Sequence, residues 1–490
     1  MSKIQKFIEE LNVNGIRYCH WKSNLSLSES LAGQSDVDLL VHRGDASMFR
    51  TILSRMCFRP AANKEGESFP SIEHYFALDE ESGILVHVHA YFRVITGDSL
   101  SKNYRFPIEE MLLQNTRMEG SIPVLTKSAE LIVFILRIML KHTSLVELLL
   151  LARYWKTVKQ EIAWLLESGS LEETLRLLDY WLPAVDAELF SECVGALKDE
   201  ASLTRRISLG LRLRSQLGIY ARHSAIRSQL IGVRKFTGMV IRRLTKSPKE
   251  LIPRSGGVVI AFVGPEATGK STLIAETSKW LGEHFAVEKI HAGKPRSTLL
   301  TAMPNLLVPT LRSLFPGSRS TRLEAHYLYD EQLERPRRSF PLIFTIRSAL
   351  LAYDRRALLS KAYSQAANGT IVLCDRYPTS QIGAPDGPQL SQLASSADRS
   401  TIRHRLAKIE ERLYRQIPPP DLVVYLSAPL EVALSRNATR GKKEPEDYVR
   451  RRHARSSNLE FEKSPVHKVN TDQPFDRTFL EVKKAIWEAL

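Results

Sequence analysis

At 490 residues, 43% of them hydrophobic and 25% charged, the chain can bury about two to four domain-sized cores, which excludes a disordered or low-complexity polymer. The net charge of +15 is concentrated: residues 201–249 hold twelve Lys and Arg and no Asp or Glu, so a local feature rather than a uniformly basic surface accounts for much of it. Cys19, Cys57, Cys193 and Cys374 share no CxxC spacing and read as reduced packing residues of a cytoplasmic protein, while the charged start MSKIQKFIEELNVNG and the run LIVFILRIML, cut by Arg137, predict neither a secretory signal nor a membrane span.

Residues 1–125 alternate short apolar runs with turns. Within YCHWKSNLSLSESLAGQSDVDLLVHRG, Asp36-x-Asp38 opens an apolar run after Gly33-x-Ser35. Two acids at i and i+2 of a strand share one face, about 7 Å apart, and can chelate Mg²⁺ together. Over roughly residues 5–95 the pattern resembles the minimal nucleotidyltransferase fold, with Ser23 near the place of its glycine-serine turn. The resemblance implies an α+β domain with Asp36 and Asp38 as metal ligands. Two departures stand out. Lys22 occupies the place of the usual glycine, and the later strand ILVHVHAYF carries His87 and His89 where a third carboxylate belongs. Imidazoles at alternate positions suit a transition metal better than Mg²⁺. The site therefore reads either as an active nucleotidyltransferase or as a degenerate one that binds or scaffolds.

Residues 126–250 read as a helical connector, through LIVFILRIML, LVELLLLARYWKTVKQEIAWLL and LEETLRLLDYWL. From Ile226, the residues Leu230, Val233, Phe236, Val240 and Leu244 form one apolar stripe of a helix, with Arg227, Arg234, Lys235, Arg242 and Arg243 on the other faces. Such a helix either lies on an anionic surface, membrane or nucleic acid, or lays its stripe on a neighbouring domain and leaves the arginines solvated.

Residues 251–490 return to alternation. GVVIAFV at 257–263 is a β-branched run, as in a strand buried on both faces. It leads into Gly264-x4-Gly269-Lys270-Ser271 and then STLIAETSKWL, which has helical spacing. Strand, glycine loop and helix in this order form a phosphate cradle: backbone N–H groups surround the phosphates, Lys270 neutralises them, and the Ser271 hydroxyl ligates Mg²⁺. Gly264, Glu266, Gly269, Lys270, Ser271 and Thr272 are the expected nucleotide-binding residues. Further strands at 370–375, 422–427 and 466–470 predict a parallel sheet with helices on both faces and a ligand at the strands' carboxyl ends. Asp375 and Arg376 end one of them. An acid there can order Mg²⁺, and an arginine can grip a second phosphate.

AYDRRALLSKAYSQAANGTIVLCDRYPTS (352–380) and PPPDLVVYLSAPLEVALSRNATRGKKE (418–444) are similar to thymidylate kinases, a P-loop kinase family. The resemblance covers about 250–490. It implies that Lys270 and Ser271 serve ATP and Mg²⁺, that Asp375 is a catalytic and metal-holding acid, and that Arg376 and Tyr377 face the acceptor. It also places Arg355 in the acceptor pocket and Arg440 on a lid over the transferring phosphoryl group. This chain departs at Val263, where the family has an acid, at Glu266, where it has Asp, and at Leu351, where a Phe stacks on the base; Tyr353 is the nearby ring. The segment 296–347 is a long insertion, read either as room for a larger acceptor or as a helical flap.

The expected fold class is α/β: a C-terminal P-loop parallel sheet over 251–490, an α+β nucleotidyltransferase-like domain over 1–125, and a helical connector over 126–250. The expected activity is ATP- and Mg²⁺-dependent phosphoryl transfer to an acceptor that already carries a phosphate, a nucleoside monophosphate first. Two alternatives are a kinase acting on a sugar or other non-nucleotide metabolite, and an ATP-binding sensor or scaffold without acceptor chemistry. The partners expected are the nucleotide, a small-molecule acceptor, and an anionic surface at the basic helix.

Overall fold

The computed structural model describes residues 1–63, 69, 71–97, 101–245, 251–293, 295, 298, 301, 342–382, 384–393, 402–439, 444–456 and 459–490. Arg440 and most of the 296–347 insertion lie outside the described residues. The chain is α/β, with a mixed sheet, a parallel sheet and many helices. It forms two compact units, Met1–Ser247 and Pro248–Leu490.

In the first unit, helix Lys3–Val13 begins at a capping box in which Ser2 and Gln5 satisfy each other's backbone N–H groups. Its buried residues Ile4, Phe7, Ile8 and Leu11 recur at helical spacing and face the sheet. That sheet runs in the order Arg59–Asn63, Ile72–Leu78, Leu85–Tyr91, Val37–Val41, Tyr18–His20, Ile122–Leu125, Thr116–Glu119. Strand Val37–Val41 pairs parallel with Leu85–Tyr91, placing Asp38 opposite His89. Side chains alternate across a strand. Val37, Leu39 and Val41 accordingly join the core under helices Lys3–Val13 and Ala46–Arg55, while Leu40 joins the core on the other side.

That other core is built by the helices after residue 126. Lys127–Lys141 starts at Thr126, whose hydroxyl accepts from the Ala129 N–H, and is buried along nearly its whole length. A helix apolar on all sides requires neighbours on all sides. Leu145–Ser168, Leu171–Trp181, Ala187–Lys198 and Leu203–Gln216 supply them. Helix Ala225–Thr245 differs: Ile226, Leu230, Val233 and Leu244 on its apolar stripe are exposed. No helix among the described residues is long and apolar enough to cross a membrane.

The second unit has a sheet in the order Val287–His291, Ile371–Asp375, Val259–Val263, Leu422–Ser427, Val466–Asn470, and every pair is parallel. The first strand in sequence, Val259–Val263, thus lies centrally, and the strands on either side of it come later in the chain. Val259, Ala261 and Val263 pack against Leu359, Ala362 and Ala366 of helix Leu342–Ala367. Helices Lys270–Gly282 and Phe475–Ala489 pack against other strands of the same sheet. This order opens a crevice at the carboxyl ends of Val259–Val263 and its neighbours, where the chain's direction of winding reverses.

Candidate functional site

The loop GPEATGK leaves the central strand at that crevice and enters helix Lys270–Gly282 through Gly269, whose φ of 85° is left-handed. Gly264 has φ 135°, and a Cβ there would lie 2.2 Å from the Leu426 carbonyl oxygen, so only glycine fits. Thr268 Oγ1 donates to the Pro265 carbonyl at 2.9 Å. Lys270 Nζ donates back to the carbonyls of Gly264, at 3.0 Å, and Pro265. Burial pushes the Lys270 ammonium down to about 8, against the pull of Glu266 and with Arg376 acting in the same direction as burial. A cation held by neutral carbonyls in a desolvated loop is poised for an anion. Ser271 and Thr272 are exposed in the first turn of the helix.

Ile371–Asp375 is the neighbouring strand, with Asp375 level with Phe262. Ser271 Oγ donates to Asp375 Oδ2 at 3.3 Å, so a hydroxyl from the loop helix and a carboxylate from the strand share one point of the crevice. A hydroxyl and a carboxylate are the donor types Mg²⁺ takes beside phosphate oxygens. Lys270, Ser271 and Asp375 are therefore groups that could hold a phosphate and a cation.

Arg376 follows with φ 69°, a left-handed conformation that a non-glycine residue holds only under tertiary constraint. Its N–H donates to Phe262 O at 3.0 Å, and its guanidinium pairs with Glu266 and lies 3.5 Å from Asp386 Oδ2. Burial opposes its charge, yet Asp386 and Glu266 outweigh burial and raise its pKa. Two further arginines converge on the same acids. Arg452 Nε is 3.2 Å from Glu266 and its Nη2 3.1 Å from Asp386 Oδ2. Arg355, 6% exposed, reaches Asp386 Oδ1 at 3.1 Å and also donates to Ala292 O and the Tyr414 hydroxyl. Gly264, Arg376, Asp386 and Arg452 line one narrow cavity. Tyr377 lines it too, but its hydroxyl is turned to the Pro418 carbonyl.

Of the residues expected here from sequence, the structure brings Lys270, Ser271, Asp375, Glu266, Arg376 and Arg355 together. Leu351 and Tyr353 are half-buried on helix Leu342–Ala367. Asp386, Arg452 and Tyr414 join them without a signal in the sequence. Asp386 stands in an irregular loop, and Arg452 is one cation of the run RRRHAR, so neither has a spacing that marks it.

In the first unit, Asp36 and Asp38 are already engaged. Asp36 Oδ1 lies 2.7 Å from His87 Nδ1. Asp38 Oδ1 lies 2.9 Å from Lys22 Nζ and 3.2 Å from His89 Nδ1. Burial would raise the Asp38 carboxyl, but Lys22 and His89 overcome it and hold Asp38 well below the usual carboxylate range. Burial lowers His89 to about 4, so its ring is neutral at pH 7. His74 stacks on both His87 and His89. Ser23 takes a left-handed φ of 59° and its hydroxyl accepts from Arg137 at 3.4 Å. Among the described residues no group of three or more His, Cys, Asp or Glu is arranged to hold a metal ion.

No protein-family model matches the chain. It is similar to the uncharacterized ATP-binding protein YghR of Escherichia coli K12, with 26% identity over 234 residues, 46% of this chain and 86% of YghR. It is also similar to the uncharacterized ATP-binding protein YghS of the same strain, with 30% identity over 138 residues, 27% of this chain and 54% of YghS.

The two arrangements differ in their free capacity. In the second unit the loop lysine rests on carbonyls, and a hydroxyl and a carboxylate face each other across the crevice. In the first unit each of the paired acids already has a nitrogen partner.

Proposed function

We propose that residues 251–490 form a P-loop kinase domain that binds ATP with Mg²⁺ and transfers a phosphoryl group to an acceptor that already carries a phosphate, a nucleoside monophosphate first. One observation carries this: three arginines, Arg355, Arg376 and Arg452, converge beside the Ser271–Asp375 pair at the mouth of the glycine loop. A sensor of ATP alone needs no such cluster, because guanidinium forks match a second phosphate. The similarity to YghR and YghS, which are named as ATP-binding proteins, supports the nucleotide half.

ATP bound with Mg²⁺ supplies the electrophilic phosphorus and its charge neutralisation. The chain's own residues do the rest. Lys270 would exchange its carbonyl partners for phosphate oxygens, Ser271 and Asp375 would hold the cation, and Arg376, released in part from Glu266, would grip the acceptor. Arg440 is proposed for the lid. The chemistry is positioning and electrostatic stabilisation rather than covalent catalysis.

A second reading is favoured by the acids themselves. Glu266 and Asp386 already neutralise the arginines, and carboxylates at such a point can also bind sugar hydroxyls. The deciding measurement is ADP release with thymidylate, uridylate, cytidylate, sugar phosphates and plain sugars, in wild type and Arg376→Ala. We expect a nucleoside monophosphate to be the best acceptor and Arg376→Ala to suppress its turnover. A plain sugar as best acceptor, with a rate untouched by that substitution, would refute the acceptor assignment.

A further inference from the structure

The first unit contains a cavity of about 540 Å³ whose walls come from strands Val37–Val41 and Leu85–Tyr91 and helices Lys127–Lys141 and Leu145–Ser168. Its volume falls within the range of about 300 to 1,000 Å³ typical of small-molecule sites. Its wall is cationic in part, through Lys22, Lys102, Arg137 and Lys141, and aromatic in part, through Trp21 and Tyr91.

The charges on this wall are unequal in what they have already found. Lys22 is paired with Asp38 at 2.9 Å, Arg137 with Glu161 at 3.4 Å, and Lys141 with Glu147 at 3.8 Å. Asp36, at the rim and half exposed, has His87. Among the described ion pairs Lys102 has none. Its ammonium stands 5.0 Å from the Phe69 ring centroid and 5.6 Å from that of Tyr91. Burial lowers it to about 8, and Lys22 acts in the same direction. A desolvated ammonium near a second cation is relieved by an incoming anion.

The carboxylates cannot take up a divalent cation without a large rearrangement. The Lys22 ammonium already sits on Asp38, where a chelated ion would bind, and Lys22 also donates to the Tyr91 hydroxyl at 3.0 Å. A metal ion there would have to expel Lys22 or leave it unpaired beside a dication, and an uncompensated buried charge is strongly unfavourable.

We infer that this cavity binds a phosphate monoester directly on Lys102 and its neighbouring cations, without a divalent metal, and holds the rest of the ligand against Trp21 and Tyr91. The built-in ammonium of Lys22 takes the place that a metal ion has in a two-acid phosphate site. The role is binding, with no bond made or broken.

The test is calorimetry on the full-length protein in EDTA, with inorganic phosphate and the four ribonucleoside monophosphates as probes, in wild type, Lys102→Ala, Lys102→Arg, Lys270→Ala and the double variant Lys102→Ala/Lys270→Ala. At least one probe should bind in EDTA. Lys102→Ala should weaken that binding at least about tenfold, the loss expected for one charge-assisted contact. Lys102→Arg should retain most of it, and the loss on Lys102→Ala should recur when Lys270→Ala is also present, which separates this cavity from the glycine loop. Tighter binding of a nucleoside monophosphate than of inorganic phosphate would show that the aromatic wall contributes. Three results would overturn the inference: no heat into the millimolar range, binding that appears only when Mg²⁺ or Mn²⁺ is added, or binding indifferent to Lys102→Ala.

Discussion

Lys270 Nζ is the side-chain atom on which most of the proposed chemistry depends, and its present partners are two backbone carbonyls. Lys270→Ala should preserve the fold and reduce ATP-dependent ADP release by about 10² to 10³-fold, as loss of one preorganised donor at a desolvated charge does. Its proton gives an independent readout. Burial depresses the free lysine to about 8, so below pH 8 it is already charged, and above pH 8 it must regain a proton to meet phosphate. Nucleotide binding should therefore take up protons between about pH 8 and 9, and the calorimetric enthalpy there should vary with buffer ionisation heat in wild type but not in Lys270→Ala. Asp386 offers the opposite case. It accepts from Arg355 and Arg452 and lies beside Arg376, so Asp386→Asn keeps the volume but removes a charge that competes with the acceptor's phosphate. KM for a phosphorylated acceptor should fall roughly threefold or more while the unfolding free energy read from urea titration drops by about 1 to 3 kcal/mol. A rise in KM would mean that Asp386 binds the acceptor itself.

Helix Ile402–Arg415 shows how an element is tied to the site from behind. Tyr414 receives a hydrogen bond from Arg355, and Glu410, 2% exposed, accepts the backbone N–H groups of Gln389 and Leu390 at 3.1 and 2.9 Å. The loop that carries Asp386 is thereby joined to the helix. Burial raises the Glu410 carboxyl to about 7, although the two N–H donors pull it down. The folded state thus holds this proton more tightly than the unfolded chain, so the associated stability is complete below about pH 4.5 and is lost as pH rises through 7. Glu410→Gln keeps a carbonyl for the two N–H groups and removes the titration. Its urea midpoint should change less between pH 5 and 8 than that of wild type. A steeper dependence in the variant would contradict the assignment. The spacing of Leu406, Ile409 and Leu413 in IRHRLAKIEERLYR fits an amphipathic helix, but nothing in it says that Glu410 and Tyr414 meet the loop after Asp375.

At the scale of the molecule, the helices after residue 126 belong to the first unit, and Gly210 shows how closely. A Cβ at this position would lie 2.7 Å from the Met139 carbonyl oxygen, so helices Leu203–Gln216 and Lys127–Lys141 touch through bare backbone. Gly210→Val should destabilise the first unit by about 1 to 3 kcal/mol and leave the ATP-induced thermal shift of the second unit in place. Loss of that shift would show that the two units do not melt independently. What the sequence determined by itself is what short-range chemistry controls. The β-branched run 257–263 could only be a buried strand; the spacing Gly264-x4-Gly269-Lys270-Ser271 prescribed a turn into a helix; and the 3.6-residue pattern after 126 prescribed helices. Asp375 and Arg376 at the end of a strand were legible for the same reason, since a strand's end in a parallel sheet is a position and not merely a residue. The tertiary structure alone decided which distant side chains share charge. Asp386 and Arg452 are 66 residues apart and carry no common spacing, and Lys22 meets Asp38 only because strands Tyr18–His20 and Val37–Val41 pair antiparallel. Coulombic pairing acts across space, so periodicity along the chain holds no record of it. Asp36 and Asp38, which the sequence shows only as two acids on one strand face, each gain a nitrogen partner in the fold.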